Sequence, residues 1–288
     1  MKSKTYDFAN ILFAGPCNLR CPYCIGKQVD QALNRNNLDE FPLRNVDTFT
    51  ALLRRHRVRQ VILTGTTTDP QLYRHEARLI RWLRKHLPEA QLSLHTNGQL
   101  ALEKMDVVNL YDRMSLSLPT FDPDVYEKMT GSRRVPDLAA IVRAARIPVK
   151  VSCVINEHNA GQVDAFLARC RDIDIRRLVL RQLYGDARRW DVLSDRIPIK
   201  TYRNNPVYDF DGMEITYWRF DRTISTSLNL FGDGTISTDY LLTKTRPGDT
   251  LTITLPQVQN LREGWDQSVC PPSPLCYNTP RRSNSTRR

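Results

Sequence analysis

Nowhere in the 288 residues do about eighteen apolar side chains run together, the least a membrane-crossing helix needs. The opening Met1-Lys2-Ser3-Lys4-Thr5-Tyr6-Asp7 has no apolar core of the kind a signal peptide carries. Secretion is therefore not expected, and neither is the disulfide framework that an oxidising compartment would allow. No internal repeat is visible. A basic stripe interleaved with aromatics is also missing, so the net charge of +11 does not point to nucleic acid. The eight residues 281–288 hold four arginines, and the remaining excess is scattered. It is read as a solvated basic surface or as attraction for an anionic small molecule. An apolar share of 41% supplies a real core, and a soluble, cytoplasmic chain is expected.

What is present is a thiol loop. Cys17, Cys21 and Cys24 follow the apolar run Ile11-Leu12-Phe13 at a C-x3-C-x2-C spacing. Three soft donors so close together suit a metal, and an iron–sulfur cube takes one thiolate at each corner. Three cysteines leave one iron open to a ligand that is not protein, which turns an electron carrier into a catalytic site. Zinc would want a fourth nitrogen or sulfur donor, normally in a two-plus-two arrangement. The next histidine, His56, lies in the helix-like stretch Leu52-Leu53-Arg54-Arg55-His56. A zinc-stabilised binding module remains the alternative from another class.

Beyond the loop, short strand patterns alternate with helical ones. Strands are expected at 7–13, 60–65, 91–97, 113–119, 149–155 and 177–183. Helices are expected from 46, over 71–86 and 100–110, in two pieces at 122–130 and 136–145, and over 162–171. Residues 27–43 are polar without a clear period and are expected to cross the surface. Six β/α units in succession predict parallel pairing with right-handed crossovers, giving an α/β fold: a partial (β/α)6 barrel. Reacting groups in such barrels sit at the carboxyl ends of the strands, where the cysteine loop falls.

Side chains two apart share a face of a strand. Leu92, Leu94, Met114, Leu116, Val151 and Cys153 then face the helices, while Ser93, His95, Ser115, Ser117, Lys150 and Ser152 face the lumen. A filled barrel would want branched apolar side chains inside. These polar ones predict a cavity for a polar ligand, with His95 and Lys150 as candidates for substrate contact or proton transfer. Cys153 and Cys170 fall on apolar faces and are read as small buried hydrophobes.

The segment Cys17-Asn18-Leu19-Arg20-Cys21-Pro22-Tyr23-Cys24 resembles the cluster loop of the radical S-adenosylmethionine (SAM) superfamily, Tyr23 supplying the aromatic before the last cysteine. Its spacer is similar to the branch that contains molybdenum-cofactor synthesis enzymes and many peptide- and nucleoside-modifying relatives. The resemblance implies a 4Fe-4S cluster on Cys17, Cys21 and Cys24, with SAM on the open iron. One electron from a donor such as flavodoxin or ferredoxin would cleave SAM to methionine and a 5′-deoxyadenosyl radical, which removes hydrogen from a small-molecule substrate.

Family members place Gly-Gly-Glu-Pro after the second strand, against the amino group of SAM. Here the stretch is Thr64-Gly65-Thr66-Thr67-Thr68-Asp69-Pro70, longer, with Thr66 for the second glycine and Asp69 as the substitute acid. Asn97 in Thr96-Asn97-Gly98, Ser117, Asn156 and Arg181 resemble the family's other SAM-contacting positions. The resemblance covers residues 6–184.

The expected organisation is a core barrel over 1–185, a β-rich extension over 186–255 that shapes the substrate site, and an irregular, basic, mobile tail over 256–288. Cys270 and Cys276 are too few to hold a second cube unaided. The leading expectation is hydrogen abstraction from a polar, possibly anionic molecule of nucleotide or nucleotide-sugar type. Maturation of a ribosomally made peptide is the alternative. It is weakened because such relatives often carry a peptide-binding N-terminal domain, and this barrel begins within ten residues of the start.

Overall fold

The lumen-facing alternation and the helix-facing alternation both appear in a computed structural model, which describes residues 6–243 and 250–254. The core strands are β1 (Phe8–Phe13), β2 (Gln60–Gly65), β3 (Gln91–Thr96), β4 (Arg113–Ser117), β5 (Val149–Ile155) and β6 (Arg177–Gln182). Between them run α1 (Val46–Arg55), α2 (Glu76–His86), α3 (Met105–Val108), α4 (Pro123–Thr130), α5 (Leu138–Ala144) and α6 (Val163–Asp172). All six strands pair in parallel in chain order. This is the expected partial barrel. Among the described residues no helix is long and apolar enough to cross a membrane.

Helix faces explain the packing. Val46, Phe49 and Leu53 of α1 and Leu79, Ile80 and Leu83 of α2 are buried against the sheet, each large side chain contributing roughly 1.5–3 kcal/mol by leaving water. Asp122 caps α4 through the Asp124 and Val125 amides, and Gly131 ends it with φ 74°. Cys153 and Cys170 are buried in the same core, as their alternation implied.

Two helices are shorter than periodicity suggested. The segment before α2 is pulled out of helix by tertiary ties: Asp69 caps a 3-10 turn at Pro70–Leu72, buried Tyr73 donates to the Glu40 carbonyl at 2.6 Å, and the Arg74 amide bonds the Leu38 carbonyl at 3.0 Å. In the 100–110 stretch only α3 is helical, and Lys104 just before it turns its side chain inward to Gln71 and Glu76. Residues 27–43 also do more than cross the surface. Val29, Asn37 and Leu43 are buried, and Asn37 brackets Ala14 by accepting from its amide at 3.0 Å and donating its own amide to its carbonyl at 3.1 Å.

The extension divides rather than standing apart. Strands β7 (Lys200–Tyr202), β8 (Asn205–Phe210) and β9 (Met213–Trp218) continue the sheet beyond β6, with β9 parallel to it. Strands β10 (Ser227–Leu230), β11 (Ile236–Ser237) and β12 (Thr252–Ile253) continue it beyond β1. Among the described residues one twelve-stranded sheet results, parallel at its centre with antiparallel strands at its margins. Gly232 and Gly234 lie in the short turn between the antiparallel strands β10 and β11. Cys270, Cys276 and the basic tail lie outside the described residues.

Candidate functional site

The cysteine loop leaves β1 and is tied down by three consecutive threonines. Thr66 bonds the Phe13 carbonyl through its amide at 2.8 Å and its hydroxyl at 3.2 Å. Thr67 Oγ1 accepts from the Gly15 amide at 3.0 Å, and Thr68 Oγ1 donates to the Pro16 carbonyl at 2.5 Å. The run of hydroxyls therefore laces the end of β2 to residues 13–16. Close approach explains two glycines: a Cβ on Gly65 would stand 1.6 Å from the Thr68 carbonyl oxygen, and one on Gly26 2.3 Å from that of Thr66.

Cys17 is exposed, whereas Cys21 and Cys24 are half-buried. The Leu19 amide points at Cys17 Sγ (3.5 Å), and Cys24 Sγ points at the Thr66 carbonyl (3.5 Å). Burial raises the Cys17 and Cys21 thiols, Cys21 to about 11; Asp69 and then Cys24 raise Cys17 further, and Cys24 and Cys17 raise Cys21. The three sulfurs thus lie in one another's fields. Among the described residues no three His, Cys, Asp or Glu side chains converge on a single-ion point. A cube places each thiolate on its own iron, so its ligands surround a cluster rather than a point, and this donor set fits one.

Asp69 is buried just beyond. It accepts from the amides of Asn97 (2.6 Å) and Gln71 (2.9 Å) and from the Thr96 hydroxyl (3.0 Å). Burial raises its pKa, and these bonds oppose the rise. Asn97 in turn donates its side-chain amide to Asn18 Oδ1 at 2.7 Å, linking the end of β3 to the cysteine loop.

Below the loop opens a cavity of about 1170 Å³ that the three cysteines share with Tyr23, Gly65, Thr66, Asp69, Asn97, Ser117 and Arg181. His95 and Lys150 line it too. Asn156 does not: its side-chain oxygen accepts from the His158 amide at 3.0 Å, so it shapes the loop after β5. Arg181 donates from Nε to Ser152 Oγ at 2.7 Å and lies 5.7 Å over the Trp218 ring. Burial lowers its pKa to about 10. Lys150 falls to about 7 through burial and then through Arg181, Arg113 and Arg177. Burial also pushes His95 well down, helped by Lys150, Arg181 and Arg113, which leaves a neutral imidazole.

Several cavity residues escaped the sequence reading. Thr67 and Thr68 were visible only as a threonine-rich turn. Arg113 is the first residue of β4, where no local pattern marks it as part of a site. Trp218 and Tyr240 come from opposite halves of the extension, and no local pattern sends both to one cavity.

A parallel barrel with a three-thiol loop at the carboxyl ends of its strands, over a polar lumen, defines an enzyme with a cluster-type metal centre. The sequence model of the radical SAM superfamily matches residues 11–169. The chain belongs to that superfamily, whose enzymes bind a 4Fe-4S cluster and SAM.

Homology to GTP 3′,8-cyclases is distant. One from Rhodopseudomonas palustris is 29% identical over 160 residues, 53% of this chain and 45% of that protein. A probable GTP 3′,8-cyclase from Methanococcus aeolicus is 24% identical over 229 residues, 70% of this chain and 73% of that protein. The chain spans about half the length of most of these curated relatives. Among solved structures, anSMEcpe with bound AdoMet superposes with a TM-score of 0.54 at 15% identity, over 87% of this chain and 79% of that one. That likeness concerns the fold.

Proposed function

We propose that this enzyme removes hydrogen from a polar, anionic small molecule of nucleotide or nucleotide-sugar type held in the barrel lumen. The observation that carries the reading is the lining itself: serine, histidine, lysine and arginine occupy lumen positions that a filled barrel gives to branched apolar side chains. Kinship with GTP 3′,8-cyclases supports a nucleotide-like substrate.

Cys17, Cys21 and Cys24 would hold the cluster, which when loaded with SAM supplies a 5′-deoxyadenosyl radical after one-electron reduction. The chain's own residues supply position. Tyr23, Gly65, Thr66, Asn97, Ser117 and Arg181 border the cofactor space, and Asp69, saturated by protein donors, sets the backbone of two of those segments. His95 and Lys150 face the substrate; neutral His95 offers a hydrogen bond without adding charge. Flavodoxin or ferredoxin in the cytoplasm would donate the electron.

The test is to incubate anaerobically reconstituted protein with dithionite and SAM and measure 5′-deoxyadenosine, then to repeat with a panel of nucleotides and nucleotide sugars. Release that quickens with one of them, and deuterium transfer from it, support the reading. A loaded cluster that releases none overturns it.

A further inference from the structure

The cavity does not end beneath the cofactor space. Its lining runs from exposed Cys17 at the carboxyl ends of the strands to Arg113, Arg177 and Tyr202 at the other end. Arg177 has 63% of its side chain exposed, and Tyr202 is also exposed. The lumen therefore meets solvent at both faces of the barrel.

Register places the cations within it. Arg113 is the first residue of β4, opposite Ser93. Lys150 is the second residue of β5, opposite Ser115, and lies one step before the Val151–Leu178 pair, which sets it beside Arg177. Arg181 stands four residues further along β6, about 13 Å higher at the rise of a parallel strand. Cations thus descend the lumen from Arg181 to Lys150 and Arg177, and then to Arg113.

Two of the lower cations, Arg113 and Lys150, have no ion pair among the described residues, and Asp112 beside Arg113 is paired with Arg84 at 2.9 Å. Among the described residues Arg113 bonds only the neutral Gln60 Oε1, at 3.1 Å, and Lys150 has neither ion pair nor hydrogen bond. Acids at the lower rim are engaged elsewhere. Glu214 pairs with Lys200 and reaches Arg177 only at 3.7 Å, and Asp174 pairs with Arg176 at 2.6 Å. Two half-buried cations without ion pairs are costly to hold side by side unless a ligand brings the counter-charge.

We infer that the substrate's anionic group is a phosphate or diphosphate seated between Arg113 and Lys150, at the end of the lumen opposite the thiol loop. The substrate is then an extended molecule, anchored low by its phosphate and presenting its reacting carbon high, near the cofactor space. Arg113 offers a planar fork suited to phosphate oxygens and Lys150 a point charge. The lowered pKa of Lys150 agrees with this: burial and then repulsion from Arg181, Arg113 and Arg177 bring it to about 7, and an arriving dianion relieves the repulsion.

This inference rests on the small-molecule reading above, but its test needs no turnover. Inorganic pyrophosphate is titrated calorimetrically into the reconstituted full chain at pH 7 and low salt. Binding to the wild type is expected, weakened at least tenfold by Arg113→Gln and by Lys150→Met. Arg113→Lys should retain most of it, and Arg133→Gln, which removes an exposed arginine paired with Asp124 and Glu127, should retain all of it. No binding to the wild type, equal affinity in Arg113→Gln, or an equal loss in Arg133→Gln overturns the inference. Protein that releases 5′-deoxyadenosine yet ignores Arg113 loses this inference alone. Protein that binds pyrophosphate through Arg113 and Lys150 yet releases no 5′-deoxyadenosine loses the proposed reaction alone.

Discussion

The Asn97 backbone amide donates to Asp69 Oδ2 at 2.6 Å, closing a clasp between the segments that follow β3 and β2. Because Asp69 also serves the Gln71 amide and the Thr96 hydroxyl, its carboxylate ties together the segments at the ends of β2 and β3 beside the thiol loop. Removing it in Asp69→Ala leaves two buried amides without acceptors, at about 1–3 kcal/mol each. Thermal denaturation should show a melting temperature lower by several degrees, with a smaller loss for Asp69→Asn, which keeps one oxygen acceptor. An unchanged melting temperature in the alanine variant would contradict the clasp.

A second buried carboxylate supports the same corner. Glu76 is 2% exposed, pairs with Lys104 and accepts from the Tyr111 hydroxyl at 2.9 Å. Lys104→Met strands that charge and should cost about 3–5 kcal/mol in urea unfolding. The double variant Lys104→Met with Glu76→Gln should recover part of the loss. Additive losses would mean the two side chains are not coupled.

Lys150 carries a pH signature. Arg177 and Arg181 of β6, Arg113 of β4 and His95 of β3 face it, and its pKa falls to about 7, against about 10.4 when unfolded. Between those values the unfolded chain holds the extra proton, so this residue makes stability rise with pH across the window from about 7 to 10.4. Lys150→Met removes the effect. It should be more stable than wild type at pH 7, by up to ~4 kcal/mol, and the gap should narrow toward pH 10. A gap that is constant with pH would show Lys150 to be solvated.

The threonine lacing predicts a defect of the loop rather than of the fold. Thr67→Val and Thr68→Val each delete hydroxyl bonds to residues 15 and 16, worth about 1 kcal/mol apiece. After reconstitution, both should lose iron faster than wild type on exposure to air while global unfolding shifts little. Identical rates of iron loss would remove the buttressing role.

Sequence alone displayed the six core strands as short apolar or alternating runs, and the alternation of β3, β4 and β5 also separated the lumen set, Ser93, His95, Ser115, Lys150 and Ser152, from the core. The Cys17, Cys21 and Cys24 loop was legible because its spacing is local. Contacts between distant segments were not. Asn37 bracketing Ala14, Asn97 reaching Asn18, and Asp69 serving Asn97 are made by polar side chains in loops, where no period marks them. The two-sided extension was hidden for a related reason: its strands are short, and whether β9 joins β6 or β10 joins β1 depends on which sheet edge is free. Asn156 shows the converse. Its place at a strand end suggested a ligand contact, but an Asn at such an end can satisfy its own turn first.

In the proposed site three thiols, with no fourth protein donor among the described residues, would hold a cluster with one reactive corner. The most direct measurement is 5′-deoxyadenosine released from SAM by the reconstituted, dithionite-reduced chain, beside Cys17→Ala, Cys21→Ala and Cys24→Ala. Release by the wild type, with each variant losing both iron–sulfide absorbance and product, is the predicted result. A wild type that holds iron and sulfide yet leaves SAM intact, or a single-cysteine variant that still cleaves it, would contradict the claim.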